Sequence, residues 1–433
     1  MARGGLVGIN RPPRCVRGQT STMYVSRLHL EEFRSYHTLD LALPPSGARL
    51  IGKNGSGKTS FLEAIVLLAT TRSARTSSDR ELVAWESGEA FGLAPWMRVE
   101  AEVRTDLRQH HVAIALELDA AHETVTRKTF ALDGQSVRGQ DLIGVLKFVL
   151  FSPEDVQLVT GPPSERRRQL DVLISQIDRE YLRALTRYNR VLPQRNGLLK
   201  SFARDRVSPS SRMAVAELAF WDEELVTAGA YVVASRRLMI DRLAELMRAR
   251  SGELIDDATL DLAYESRLDF GPITTADNRH TIRSLNEALL VRFHDQLAEV
   301  RAEEFRRGVT VVGPHRDDLI FQINGRSLAT FGSRGQQRLG VVAIKLSEGD
   351  LIAAETDETP VLLLDDVLSE LDEVHREQLL RAVVVPGRQV LVSSTDPGPL
   401  EHPALASLPV LIIDRGTIRD AVEERDTETG SSS

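Results

Sequence analysis

The sequence predicts an α/β body interrupted by a mostly helical insertion. Three observations carry that prediction. A short apolar lead-in, a glycine-rich loop and an apolar helix follow one another between 48 and 68. A second apolar run, Val361 to Leu364, ends in two carboxylates, Asp365 and Asp366. Between them, from about 165 to 305, apolar residues recur at threes and fours, whereas the flanking segments alternate or run apolar in short blocks, as strands do.

Taken in order, residues 1–22 are rich in Gly, Pro and Arg and show no regular period. They read as a disordered extension, with Met23 a candidate start. Val25, Leu28 and Leu30 open a strand, and Leu39, Leu41 and Leu43 alternate in a second. Residues 97–132 read as a β-meander closed by the hairpin signal Asp133-Gly134. Leu142 to Phe151 fits a helix end followed by a buried strand. Leu170, Leu173, Ile174 and Ile177 then take helical spacing, continued by Tyr181, Leu185 and Tyr188, with Pro193 a predicted kink. Leu218, Trp221, Leu225, Ala228, Val232, Ser235 and Met239 form a heptad-like seam on a helix of about 35 residues, read as core packing. A further helix is predicted from Thr281 to Arg306. Strand-like patterning resumes at Val309 and persists to Ile413, and the polar tail 423–433 reads as disordered. The expected division is therefore 1–22, a body at 23–165, a helical lobe at 166–305, the rest of the body at 306–422, and the tail.

Composition removes several classes of function. The chain has 433 residues and one cysteine, Cys15, which excludes a disulfide framework and a Cys-based zinc site. One thiol and no secretory signal are read as a reducing cytoplasm. No apolar run is long enough for a membrane helix, so no membrane partner is expected. The 54 basic residues against 62 acidic ones give a net charge of -8, which excludes a globally basic coat but not a local basic patch. Only Lys53, Lys58, Lys128, Lys147, Lys200 and Lys345 are lysines, so two of them in one short loop are informative.

That loop, Gly52-Lys53-Asn54-Gly55-Ser56-Gly57-Lys58-Thr59, fits G-x-x-x-x-G-K-[ST] between a strand and a helix. Its glycines let backbone N–H groups turn inward on a phosphate chain, and the helix N-terminus adds a positive dipole. Lys58 is predicted to reach the β- and γ-phosphates, and the Thr59 hydroxyl to ligate Mg²⁺. A buried parallel strand ending at Asp365-Asp366 delivers its last side chains to the same crevice. Asp365 is expected to hold Mg²⁺, and Asp366 to polarise an attacking water. Ser333-Arg334-Gly335-Gln336-Gln337-Arg338 precedes a helix predicted at Leu339 to Ser347. Ser333 is placed as its N-cap, and Gly335 allows a ligand to approach closely.

The order of phosphate loop, large insertion, serine–glycine signature and acidic strand resembles that of the ABC-type ATPases. It implies a P-loop ATPase head in which one subunit's signature closes on another's phosphate loop. Further segments narrow the resemblance. They are Glu32-Phe33-Arg34-Ser35-Tyr36, Arg72-Ser73-Ala74-Arg75-Thr76, Phe151-Ser152-Pro153-Glu154-Asp155, Gly313-Pro314-His315-Arg316-Asp317-Asp318 and Leu362 to Asp372. With them the chain resembles, over about 23 to 420, the RecF family of bacterial recombination mediators in the SMC-like branch. The resemblance implies ATP and Mg²⁺ as cofactors and an ATP-dependent homodimer. Ser333, Gly335 and Gln336 would act in trans, and ATP hydrolysis would be slow and DNA-stimulated. It implies DNA with single-strand gaps as partner, and RecO, RecR and RecA loading in repair, replication restart and SOS induction. The glutamine and histidine of transporter sites are absent: Glu154 stands near the first place, and Ser394-Thr395-Asp396 at the second.

Arg72, Arg75, Arg166 and Arg167 are candidate DNA contacts, Arg34 a candidate nucleotide or DNA contact. His315 beside Asp317 and Asp318 lacks a third ligand with metal-site spacing and reads as a structural turn. A transporter ATPase subunit would carry the missing glutamine and histidine. A related nuclease would need a further acidic domain, for which the residues after Asp372 leave no room.

Overall fold

A computed structural model describes residues 20–88, 92–119, 124–255, 258–268 and 282–420. Contacts divide them into two units. One comprises 21–182, 239–265 and the chain from 318 onward; the other comprises 183–238 and 266–317. The predicted division at 166 and 305 therefore differs from the observed one. The helix Pro163–Ile177 belongs to the larger unit because Leu170, Leu173 and Ile174 bury their stripe there.

The larger unit contains two six-stranded sheets. The first has the order Thr417–Asp420, Val410–Asp414, Gly47–Ile51, Val390–Ser394, Val361–Asp365, Phe148–Phe151. Only its first pair is antiparallel. Burial on both faces explains the unbroken apolar runs of the acidic strand and of Val390–Val392. The register puts Ile51 opposite Ser394, and Asp365 opposite Ser393. The start of the glycine loop and the acidic strand therefore end at one sheet edge.

The second sheet is antiparallel. It runs Tyr36–Ala42, Tyr24–Phe33, Trp96–Arg104, Gln109–Leu118, Val125–Leu132, Gln135–Val137. The predicted meander and hairpin are present. Asp133 and Gly134 take φ of 52° and 78°, as a tight turn of the primed type requires. The helix Lys58–Thr70 is apolar nearly all round, and ten of its 13 residues are buried. Phe61, Leu62 and Ile65 join one core with Leu28, Val99 and Ile114 of the antiparallel sheet and Leu363 and Leu391 of the parallel one.

Several elements depart from the sequence reading. Leu260–Glu265, placed in the helical stretch, is a strand paired with Asp318–Ile323; its alternation of buried Leu260, Leu262 and Tyr264 was the available signal. The stretch from Val309 is not strand throughout. The helix predicted at Leu339 to Ser347 is present but runs over 23 residues, Arg334–Thr356, and Glu373–Val383 is a second helix there. The helical run from Leu170 breaks at Asp178, and the next helix, Arg179–Arg204, contains Pro193 within its span. The seam helix is 43 residues long, Arg212–Leu254, and Leu218, Leu225, Val232 and Met239 are buried as expected. Ile282–Arg307 is the last helix of the predicted lobe. Ser21 and Thr22 pair in parallel with Glu358 and Thr359, so these two residues of the expected extension are ordered. Residues 1–19 and the tail lie outside the described residues. No helix among the described residues is long and apolar enough to cross a membrane.

In the smaller unit Arg195 is 1% exposed. It donates to Asp222 at 2.7 Å, to Glu304 at 2.6 Å and to Thr310 Oγ1 at 2.8 Å. Removing it leaves two carboxylates without their cation. Arg195→Ala is therefore expected to destabilise this unit by about 3–5 kcal/mol. Urea unfolding followed by far-UV circular dichroism checks it; a loss near zero contradicts the buried pairing.

Candidate nucleotide site

The glycine loop closes under steric pressure from its neighbours. Gly57 has φ 116°, and a Cβ there would lie 2.9 Å from Ser35 Oγ and 3.0 Å from Tyr36 Oη. A Cβ on Gly52 would lie 2.3 Å from the Ile413 carbonyl oxygen. Glycine is required at both places, once for a left-handed backbone and once for close approach. Tyr36 donates to the Gly57 carbonyl at 3.0 Å, so the Ser35-Tyr36 turn braces the loop.

Lys58 is 6% exposed and donates to the Gly52 carbonyl at 2.7 Å and the Lys53 carbonyl at 3.1 Å. Its ammonium is held within the arc of the loop. Burial lowers its pKa, partly offset by the charges of Asp366 and Asp365. The Ser56 hydroxyl oxygen is buried with no hydrogen-bond partner.

Thr59 and Asp365 meet as the sequence predicts. Thr59 Oγ1 donates to Asp365 Oδ1 at 3.1 Å, and Ser393 Oγ donates to the same oxygen at 2.7 Å. Burial raises the Asp365 pKa above the ordinary carboxylate range. The Ser393 and Thr59 hydrogen bonds oppose that rise, Glu154 adds to it and Arg75 subtracts from it. Asp366 takes φ 52°, an unfavourable conformation for a residue with a Cβ. Its N–H donates to the Ser393 carbonyl at 3.2 Å. Its Oδ1 accepts from Ser369 Oγ at 3.3 Å and Ser394 Oγ at 3.4 Å. Serines thus hold both carboxylates from the strand where transporter sites carry histidine. Ser393 was missed by the sequence reading; only its place in the sheet register reveals it.

The oxygen pair fits magnesium. A threonine hydroxyl and a carboxylate oxygen side by side, 3.1 Å apart, are hard oxygen donors of the kind Mg²⁺ takes. No group of three or more His, Cys, Asp or Glu among the described residues is arranged for a metal. An ion here would take most of its ligands from phosphate and water, as Mg²⁺ does.

Ser333 is the N-cap of Arg334–Thr356, accepting from the Gln336 N–H at 3.2 Å. Gln336 Oε1 accepts from the Ser333 N–H at 2.9 Å, a capping box the sequence reading did not identify. Ser333, Arg334 and Gly335 are exposed, and Gly335 leaves open space around its Cα. Arg338 pairs with Glu370, joining the signature to the turn after the acidic strand.

The arginines separate. Arg166 is removed from the DNA candidates. It is 9% exposed, donates to both Asp318 oxygens at 2.7 and 2.8 Å, and gives its remaining fork to the Gly161 carbonyl at 2.7 Å. Arg34 is likewise structural, donating to both oxygens of buried Glu63 at 3.0 and 2.8 Å. Arg72 and Arg75 are exposed, with Arg75 also 3.8 Å from Glu63; Arg167 is half-buried. His315 meets Tyr188 Oη at 2.6 Å and the Thr310 carbonyl at 3.2 Å, so both ring nitrogens have structural partners.

A phosphate-binding loop, an acidic strand beside it and a capped serine–glycine helix define an ABC-type ATPase head. Residues 24–406 match the family described as RecF/RecN/SMC N terminal domain. Curated relatives named DNA replication and repair protein RecF include one from Thermomicrobium roseum, 45% identical over 92% of this chain and 99% of the relative. Another, from Herpetosiphon aurantiacus, is 44% identical over 92% and 99%. A solved structure described as the recombination mediator protein RecF-ATPrS in the RecFOR pathway superposes with a TM-score of 0.77 and 28% identity, covering 93% of this chain and 99% of that one. The chain belongs to the RecF family of DNA replication and repair proteins.

Because folding raises the Asp365 pKa, the folded state holds that proton more tightly than the unfolded chain. The resulting stabilisation is complete below the ordinary carboxylate range and is lost as pH rises through the raised value. Asp365→Asn keeps an oxygen for Thr59 and Ser393 but no buried charge. It is expected to raise the Tm of the nucleotide-free protein at neutral pH, and the gain is expected to shrink on acidification. Melting curves between about pH 4 and 8 check this; a lower Tm throughout contradicts it.

Proposed function

We propose that the chain is an ATP-gated DNA clamp with slow, DNA-stimulated ATPase activity. ATP with Mg²⁺ joins the phosphate loop of one copy to the signature of a second, and the dimer holds duplex DNA beside a single-strand gap. With RecO and RecR it promotes RecA loading, and through that repair, replication restart and SOS induction.

The exposed signature is the observation that carries the reading. Hydrogen bonds of Ser333 to Arg338 run to one another, to Leu328, Ala329 and Gly332, and to Glu370. The Ser333 oxygen accepts within the cap, which leaves its proton to donate outward. A helix N-terminus adds N–H groups and a positive dipole, and Gly335 allows close approach. This is a γ-phosphate receptor presented to another molecule. Gln336 spends its side chain on the cap, so it positions Ser333.

Within one copy, Lys58 would bind the β- and γ-phosphates, and Thr59 and Asp365 would hold the magnesium, which neutralises phosphate charge when bound. Asp366 would accept a proton from the attacking water. The carboxylate has one oxygen tied to serines, and its backbone twist fixes its direction. The net charge of -8 requires DNA to meet a local arginine-bearing face. Arg72, Arg75 and Arg167 remain the candidates for it. The names of the RecF relatives and the RecFOR pathway named for the structural one support the repair role.

Ser333→Arg places a bulky cation at the trans contact. With ATP and Mg²⁺, sedimentation velocity is expected to show dimers for the unaltered chain and monomers for the variant; equal dimerisation contradicts the reading. Lys58→Arg is expected to retain ATP binding within about threefold and to lower turnover at least about tenfold, because a planar fork cannot replace a compact ammonium in this loop. Binding titrations and phosphate release separate the two effects, and full turnover counts against the assigned site.

A further inference from the structure

Trp85 is 89% exposed, the largest apolar side chain left in solvent among the described residues. It occupies a corner of the tight turn Ala84 to Ser87, which closes where the Ser87 N–H donates to the Ala84 carbonyl at 3.2 Å. Such corners favour small polar residues, so local structure does not call for an indole. Packing does not use it either. The turn itself is pinned on both sides. The Ala84 N–H donates to the Glu32 carbonyl at 2.8 Å. Ser87, 1% exposed, donates through Oγ to the Trp96 carbonyl at 2.6 Å and accepts from the Trp96 N–H at 3.0 Å. A rigid base thus holds a bare aromatic ring outward, with the Arg80 guanidinium over it at 5.8 Å from the ring centroid.

The segment before that turn has the chemistry of a phosphate contact. From Thr70 to Ser78 it holds six hydroxyl residues, two arginines and no acid. Arg72, Arg75, Ser77 and Ser78 are exposed. Arginine and hydroxyl side chains are common donors to a nucleic-acid backbone. Arg34 ties this segment to the Trp85 turn. Its fork holds Glu63, which also accepts from Ser73 Oγ and lies 3.8 Å from Arg75. The remaining nitrogen of Arg34 donates to the Glu81 carbonyl at 2.6 Å, and its N–H donates to the Leu82 carbonyl at 2.8 Å. Asp79, the first acid after the segment, is paired with Lys128 at 3.0 Å. Glu81 and Glu86 flank Trp85 in the chain and are exposed, so phosphate charge is met on the arginine segment and not at the turn.

We propose that Trp85 is a base-stacking residue, and that Arg72, Arg75 and Trp85 together bind the unpaired strand of a single-strand gap. An aromatic face on a rigid turn accepts any base, and arginines beside it follow the backbone that carries the base. With Arg80 over one face of the ring, the other face is left for the base. Bases inside a duplex are stacked on one another and offer no free face, so this contact separates gapped from intact DNA. The inference rests on the proposed DNA reading and names the part of the surface that recognises the gap.

The test measures binding, with ATPγS and Mg²⁺, to a linear duplex and to the same duplex carrying a central gap, so that both have identical ends. Trp85→Ala is expected to weaken binding to the gapped DNA about tenfold and to leave the intact duplex within about twofold. Trp85→Phe keeps a flat ring and is expected to hold gapped binding within about threefold of the unaltered chain. The salt dependence of affinity is expected to be unchanged in Trp85→Ala and shallower in Arg72→Ala with Arg75→Ala, which loses phosphate contacts. An equal loss on both DNAs, or a preference for the gap that survives in Trp85→Ala or is missing from the unaltered chain, overturns the proposal while DNA binding itself stands. A loss of ATP affinity or of ATP-dependent dimers in Trp85→Ala assigns the indole to the nucleotide or to the second copy, and overturns it as well. If the unaltered chain binds neither DNA, the DNA reading fails and takes this inference with it.

Discussion

Asp365 lies opposite Ser393 in a parallel pair of strands, and most of the site depends on that register. The same sheet puts Ser394 opposite Ile51, the last residue before the glycine loop. A shift by one residue would turn Asp365 to the other face and leave Thr59 without its partner. Val361 to Leu364 and Val390 to Val392 have almost no exposed surface, so a slip that drew Asp365 back among them would bury its carboxylate in an apolar interior. Hydrophobic packing between two sheets and the helix Lys58–Thr70 thus sets the distance between a hydroxyl and a carboxylate.

The polar groups at that edge are held by short-range devices. Tyr36 braces the loop, Ser393 and Ser394 hold the two aspartates, and a capping box orients Ser333. The left-handed backbone at Asp366 stores strain that the surrounding hydrogen bonds offset. Burial leaves Asp365 reluctant to ionise without a nearby cation.

Local features were legible in the sequence and tertiary ones were not. The glycine loop, the acidic strand, the Asp133-Gly134 hairpin and the Ser333 cap each carry their information within a few residues. The seam helix was legible because Leu218, Leu225, Val232 and Met239 repeat at a fixed spacing, although its full length was not. Leu260–Glu265 was lost inside a helical stretch because six alternating residues are a weak signal between long helices. Arg166 was read as a candidate DNA contact, and only its pairing with Asp318, 152 residues away, shows that it is structural. Ser393 was an ordinary residue until the fold placed it beside Asp365.

Mixing two defective chains interrogates the shared-pocket account most directly. One carries Lys58→Ala and has no working phosphate loop; the other carries Ser333→Arg and has no working signature. A mixed pair still contains one intact pocket, built from the loop of the second chain and the signature of the first. The account predicts that ATP turnover, negligible for either chain alone, returns when they are combined. Turnover that stays absent in the mixture, with both chains folded and able to bind nucleotide as appropriate, would contradict it.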